Sequence, residues 1–334
     1  MLPKVLQLSQ KSELHGSWQV ITISVTPGMK IGLFVQEATV DMVVDRISQA
    51  HRIGFARAWV SQILGVDAMT ALAVTAREVP GIGLGTSVVP TYPRHPMALA
   101  AQARTVGQIS GGRFTLGIGL SHRVLIEKML GMKWGEIRHL SEYLEILVPL
   151  LNGERANFAG ETLTGKVGLE IATNPVPLVV AALGPKMLNI AGRLTDGTTT
   201  WMTGLETLRK HVVPSIRAGA AEVGRAEPAV IAALPVAVTD ESDMARAAAA
   251  KVFALYERMP SYRAMLDREG AGGAADIAIV GDESAVAEQI RRFGDAGVTE
   301  FVVFPYFERE RTLELVGSLI NVAAGRSNVT EPGG

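Results

Sequence analysis

The 334-residue sequence predicts an α/β chain folded as a (β/α)8 TIM barrel with insertions, and three observations lead there. Short apolar runs alternate with stretches whose apolar residues recur near every 3.6 positions, the pattern of strands and amphipathic helices taken in turn. Several runs, such as Lys30-Ile31-Gly32-Leu33-Phe34-Val35, are apolar at consecutive positions, as parallel strands covered on both faces require. Two joints echo each other, Gly54-Phe55-Ala56-Arg57-Ala58-Trp59-Val60 and Gly297-Val298-Thr299-Glu300-Phe301-Val302-Val303. Each sets Gly at a helix C-terminus and then a β-rich run. Eight such units with right-handed crossovers close most economically as a barrel; an open doubly wound sheet is the alternative.

Residues 1–28 end in the turn signature Thr26-Pro27-Gly28 and read as a disordered extension, with Met29 a candidate start. The expected strands are 30–36, 56–60, 82–88, 114–119, 177–182, 197–200, 230–237 and 300–304. Between them fall helices near 40–52, 67–77, 96–109, 135–151, 185–193, 205–222, 240–258 and 283–295. The first helix places Val40, Val43, Val44, Ile47 and Ala50 on one stripe behind Thr39, a good N-cap. Helix 96–109 opens on Pro96, which a first turn accepts, and turns Leu99, Ala103, Val106 and Ile109 inward. Two stretches break the rhythm: 152–176, rich in glycine, and 259–280, with Pro260 and Gly270-Ala271-Gly272-Gly273. Both are expected as loop-rich covers of an active site. A single domain therefore spans 29–322, and 323–334 reads as a flexible polar tail.

Composition narrows the function. With 32 Lys+Arg against 33 Asp+Glu and no basic run, nucleic acid is not an expected partner. Zero Cys removes disulfides, thiolate metal sites and a cysteine nucleophile. The first 28 residues lack the apolar run of a signal peptide, and no segment is long enough to span a bilayer, so a cytoplasmic protein without membrane partners is expected. The six histidines show no metal spacing, and no metal is expected.

In a parallel barrel the chemistry sits at the C-terminal ends of the strands. Leu183-Gly184-Pro185-Lys186 fits an anion site at a helix N-terminus, or a plain turn between strand and helix. His122 suits proton transfer near neutrality, or the lining of a cofactor; His95 follows the neighbouring strand and could face the same pocket. His51 and His211 read as solvent-facing. Trp59, inside its strand, reads as core, whereas Trp201 at a strand end either borders a flat ligand or packs inward. Gly81, Gly83 and Gly85 lie within a strand and are followed by Pro90, Pro93 and Pro96, so they read as barrel packing rather than a dinucleotide fingerprint.

Two blocks carry a resemblance. Ile82-Gly83-Leu84-Gly85-Thr86-Ser87-Val88-Val89-Pro90-Thr91-Tyr92-Pro93-Arg94-His95-Pro96 leads to Ile109-Ser110-Gly111-Gly112-Arg113-Phe114-Thr115-Leu116-Gly117-Ile118-Gly119. Ala182-Leu183-Gly184-Pro185-Lys186-Met187 leads to Ala191-Gly192-Arg193-Leu194-Thr195-Asp196-Gly197. Together they resemble the luciferase-like monooxygenase superfamily, in the branch that uses the deazaflavin coenzyme F420. The resemblance implies a (β/α)8 barrel and a non-prolyl cis peptide, here Ser87–Val88, backing the deazaflavin ring. It implies cofactor contacts from Gln62, Ser87, Val88, Val89 and His122 on the ring side. Ala182, Leu183, Gly184 and Pro185 would serve the phosphate side, with Trp201 beside the ring.

One departure matters. The family's sugar-phosphate dehydrogenases carry Asp-His after the second strand and Glu after the fourth; here Gln62-Ile63 and His122 stand there. The expectation is therefore a reductase that moves hydride between the deazaflavin C5 and a small organic substrate, with His122 as the candidate catalytic residue. An FMN-dependent monooxygenase using O2 and a non-catalytic F420 or flavin binder are the alternatives, and a phosphate-binding aldolase or isomerase lacks its lysine or carboxylate pair. Homodimers are common in the family, which makes a homodimer an assembly the resemblance allows, while the sequence itself leaves the oligomeric state open.

Overall fold

Strands that are apolar at successive positions need cover on both faces, and a closed barrel wrapped in helices supplies it. The computed structural model describes residues 28–323. In chain order the strands are β1 (Lys30–Val35), β2 (Arg57–Val60), β3 (Gly83–Thr86), β4 (Val89–Pro90), β5 (Phe114–Gly119) and β6 (Ala156–Ala159). They continue as β7 (Thr164–Val167), β8 (Leu178–Ala181), β9 (Gly197–Trp201), β10 (Ala229–Val238), β11 (Ile279–Gly281) and β12 (Glu300–Pro305). The strands β1, β2, β3, β5, β8, β9, β10 and β12 pair in that order, all parallel, and β12 returns to β1. The expected eight-stranded barrel is thus the observed one.

Local chemistry sets the joints. The Thr39 side chain accepts from the Met42 N–H at 3.2 Å, starting helix Val40–Ile53, and Gly54 at φ +103° ends it. That helix buries Val43, Ile47 and Ala50 against the barrel. Inside the barrel, Trp59 on β2 fills the space that β1 and β3 vacate. A Cβ on Gly85 would lie 2.5 Å from the Trp59 ring, and one on Gly32 would lie 2.7 Å from a Glu300 oxygen. Gly83 and Gly85 are therefore close packing within β3, as read, whereas Gly81 lies before the strand at φ +102°, a turn that favours glycine.

Four features depart from the sequence reading. The stretch 152–176 holds an antiparallel hairpin, β6–β7, pinned by Glu142, whose carboxylate accepts from the N–H groups of Glu161, Thr162 and Leu163. The stretch 259–280 is largely helical, with Pro260–Glu269 and Ala274–Ile277, and then β11, which extends the sheet beside β10. The expected helix 205–222 is split by a π-helical turn at Leu208–Val212. A helix at Arg309–Ala323 follows β12 and buries Leu313, Val316 and Leu319. The extension and the tail lie outside the described residues, apart from Gly28 and Ala323.

Candidate cofactor site at the C-terminal mouth of the barrel

The site is built where β3 stops pairing with β5. The Thr86 hydroxyl clamps that edge: it donates to the Gly117 carbonyl and accepts from the Gly117 N–H, each at 2.8 Å. The next peptide, Ser87–Val88, is cis, at the position the resemblance implies. The chain then rejoins β5 one step further on, as Val89 and Pro90 pair with Ile118 and Gly119. Val88 turns toward Gly119, where an added Cβ would lie 2.8 Å from its Cγ2. The result is a short apolar wall, with Ser87 and Val88 half-buried and Val89 buried.

Across the mouth, β8 ends in Ala182-Leu183-Gly184 and feeds helix Pro185–Leu194. Gly184 is the N-cap, offers no side-chain cap, and has nothing within 4 Å of the place a Cβ would take. The first N–H groups of that helix therefore carry no side-chain cap from Gly184, and the positive end of the helix dipole lies there. His211 donates from Nε2 to the Leu183 carbonyl at 2.8 Å. This corrects the solvent-facing reading: the ring is half-buried, and the π-helical turn Leu208–Val212 carries it onto the loop before Gly184. Its partner is a backbone carbonyl 28 residues earlier, which leaves no mark in the sequence.

An arc of rings joins these two sides. His122, just after Ser121 at φ +64°, lies 5.8 Å between centroids from Tyr262, which lies 5.2 Å from Tyr256. Tyr256 meets Trp201 edge-on at 5.8 Å; Trp201 stacks on Phe34 at 5.3 Å and meets Phe304 at 5.5 Å. The arc runs from the end of β5, under helix Pro260–Glu269, to the ends of β9, β1 and β12. Burial lowers the His122 pKa, so its ring is neutral at neutral pH. Burial raises both phenol pKa values, so Tyr256 and Tyr262 stay protonated. The Trp201 indole N–H makes no well-formed hydrogen bond, although the Tyr256 oxygen is close enough to feel it.

Other candidates fall elsewhere. His95 does not face this mouth: it is the N-cap of helix Pro96–Ile109, accepting from the Met97 N–H through Nδ1, with Nε2 at 3.1 Å from the Thr164 carbonyl. His51 is exposed, as expected. The Gln62 side chain accepts from the Ala68 N–H at 3.1 Å, so its carbonyl is committed to the start of helix Ala68–Glu78 while its amide N–H groups remain available. Trp59 is core, as read. No group of three or more His, Cys, Asp or Glu able to hold a metal exists among the described residues, nor does any described helix have the length and apolarity to cross a membrane.

Comparison with known proteins gives this geometry a context. The family model described as luciferase-like monooxygenase matches residues 23–300. A 5,10-methylenetetrahydromethanopterin reductase of Archaeoglobus fulgidus is 27% identical, over 87% of this chain and 98% of its own. The coenzyme F420 dependent tetrahydromethanopterin reductase from Methanopyrus kandleri shares the fold at TM-score 0.76 and 24% identity, covering 86% of this chain and 97% of that one. A type II Baeyer-Villiger monooxygenase of Pseudomonas putida, solved with FMN, shares it at TM-score 0.72 and 17% identity, over 89% and 98% of the two chains. Relatives of this fold thus use F420 or FMN. A barrel broken by the cis Ser87–Val88 peptide at the third strand, matched over most of its length, belongs to the luciferase-like monooxygenase family, a family of oxidoreductases.

Proposed function

We propose that the chain is an F420-dependent oxidoreductase that works as a reductase on a small organic substrate. The observation that carries this reading is the Val88 wall where the chain leaves β3 and rejoins β5, set opposite the helix start at Gly184, which has no side-chain cap. The dimensions of the reading are simple. Ser87, Val88 and Val89 would back a flat tricyclic ring, with Gln62 and His122 at its edge and Trp201 on its far side. Ala182 packs beneath the phosphate loop, and Leu183, Gly184 and Pro185 shape it, the free N–H groups of the following turn receiving the phosphate. When bound, the deazaflavin supplies a two-electron hydride couple that oxygen does not readily intercept. The chain's own share is to orient, to exclude water beneath helix Pro260–Glu269, and to hold neutral donors near the reacting face. His122, held neutral by burial, serves there as a donor or proton relay rather than as a resident acid.

The 27% identity to a methanopterin reductase favours the reductase direction, as does the Gln62 and His122 pair in place of a base and an acid. FMN with O2 is the second reading, favoured by the FMN-bound relative of the same fold. Equilibrium titration of F420 and of FMN, followed by fluorescence, separates them. The expected result is F420 binding at least about tenfold tighter, a difference of ~1.4 kcal/mol. Tighter FMN binding would transfer the site to flavin chemistry.

A further inference from the structure

Five tyrosines are present, and the fate of their hydroxyls divides them. Tyr143 donates to the Arg94 carbonyl at 3.0 Å, Tyr306 donates to the Ala245 carbonyl at 3.0 Å, and Tyr92 accepts from the Gly135 N–H at 2.8 Å. The hydroxyl protons of Tyr256 and Tyr262 have no acceptor among the described residues. These two are neighbours, edge to face at 5.2 Å, and both belong to the arc over the barrel mouth.

A half-buried phenol proton that reaches no protein acceptor is completed by water or by a ligand that displaces the water. Its surroundings define that ligand. The arc's other members are His122, Trp201, Phe34 and Phe304, so every neighbour within it is a ring and none bears charge at neutral pH. Flat apolar walls select a flat partner, and the arc's rings bring no cation of their own to offset the desolvation of an anionic ligand. Each phenol keeps one proton to donate, and a carbonyl oxygen accepts two such bonds.

We propose that Tyr262, supported by Tyr256, forms a carbonyl-oxygen subsite for a planar, uncharged, conjugated ketone or aldehyde lying in the ring-lined mouth. This rests on the reductase reading, because it names the substrate side of the same site. Tyr262 is the nearer of the two to His122 and so to the end of β5 that adjoins the Val88 wall. Tyr256, beside the Trp201 indole, sits deeper toward β9 and steers rather than leads.

The test compares two probes of nearly the same shape, benzylideneacetone, a neutral conjugated ketone, and cinnamate, its anionic counterpart. Binding to the cofactor-free chain is measured by calorimetry, and the bound ketone's carbonyl stretch by difference infrared spectroscopy. The ketone is expected to bind and cinnamate to bind far more weakly, with the carbonyl stretch moved to lower wavenumber. Tyr262→Phe should weaken ketone binding roughly three- to tenfold, the worth of one hydrogen bond, and return the stretch toward its free value. Tyr256→Phe should do less of both, and thermal melting should show that both variants fold. An unchanged stretch in Tyr262→Phe, or cinnamate binding as well as the ketone, would overturn the subsite. Failure of the parent reading looks different: the ketone responds as described while neither F420 nor FMN binds in titration.

Discussion

The two ends of the barrel handle polar groups in opposite ways. At the N-terminal end, Glu300 is 5% exposed and Trp59 1%, and the Glu300 carboxylate accepts the Trp59 indole N–H at 2.6 Å. Arg57 lies over the Trp59 ring at 5.2 Å, donates to the Thr115 hydroxyl, and meets Glu300 as an ion pair at 3.5 Å through Nε. A cavity of about 290 Å³ opens there, and Trp59, Glu300, Thr115 and Arg57 in its lining are turned on one another, apart from the Arg57 Nε, which keeps the ion pair but no hydrogen bond. At the C-terminal end the accounting is left open: an uncapped helix start at Gly184, two phenol protons without acceptors, and an indole N–H without a good partner. Polar groups that satisfy each other fix a fold, and polar groups left aimed at one space are ready for a ligand. The asymmetry supports the proposed site at the C-terminal end independently of any relative.

The sharpest way to break this contrast is to remove the lower pair. Glu300→Ala leaves the Arg57 guanidinium and the Trp59 N–H without their acceptor in a buried setting, where the loss of one member of a pair costs about 3–5 kcal/mol. Urea denaturation should show a loss near the lower figure, since Arg57 keeps some solvent access. F420 affinity, extrapolated to the folded fraction, should not change. A variant that loses cofactor affinity in step with stability would show that the two ends are one coupled unit.

A smaller effect is expected at the upper end, where His211 holds the carbonyl of Leu183 and thereby the loop before Gly184. His211→Ala should weaken F420 binding about tenfold, since one hydrogen bond is lost and the helix start is freed to turn. The deazaflavin nucleoside without phosphate should bind as well as before, and global stability should fall by about 1 kcal/mol or less. Equal losses for both ligands would assign His211 to general packing rather than to the phosphate loop.

The contrast also explains what could be read from the sequence. The barrel was legible because most of its strands are buried on both faces and write that burial as consecutive apolar residues, from Ile31-Gly32-Leu33 to Phe301-Val302-Val303, β9 with its buried Thr198-Thr199-Thr200 being the exception. The cis bond and the Gly184 turn were legible through short motifs, since both depend on neighbours in the chain. The missed features depend on distant partners or on hydrogen bonds that shift register. A π-helical turn at Leu208–Val212 keeps helical composition and merely moves its bonds by one residue, so helix 205–222 read as continuous. Its consequence, His211 on Leu183, was invisible for the same reason. Tyr256 and Tyr262 carry no pattern in sequence; their meaning lies in bonds they do not make. The strands of the β6–β7 hairpin are four residues each and half exposed, too short for alternation to register.

The smallest effect lies on the rim of the upper end and concerns acid. His139 is buried, with Nε2 3.0 Å from the Thr91 hydroxyl, its ring stacked on Tyr92 at 4.0 Å and tilted against Tyr143. Burial lowers its pKa from 6.5, and the nearby Glu142 carboxylate only partly opposes that. The sign follows from which state takes the proton more readily. Below about 6.5 the unfolded chain protonates this imidazole while the folded protein resists, so stability is full above that pH and falls as pH drops toward the lowered folded value. His122, also lowered by burial, adds to the same loss. Glu142 itself has a depressed pKa through its bonds to Thr162 and Leu163, so its contribution begins to fade only as pH falls below about 4.5. The two windows are separable. Replacing His139 by Gln keeps a polar group for Thr91 and removes the titration, so the decline in melting temperature just below pH 6.5 should become shallower while the steeper acid limb is retained. An unaltered slope through that window would mean that the folded protein protonates His139 as easily as the unfolded chain does.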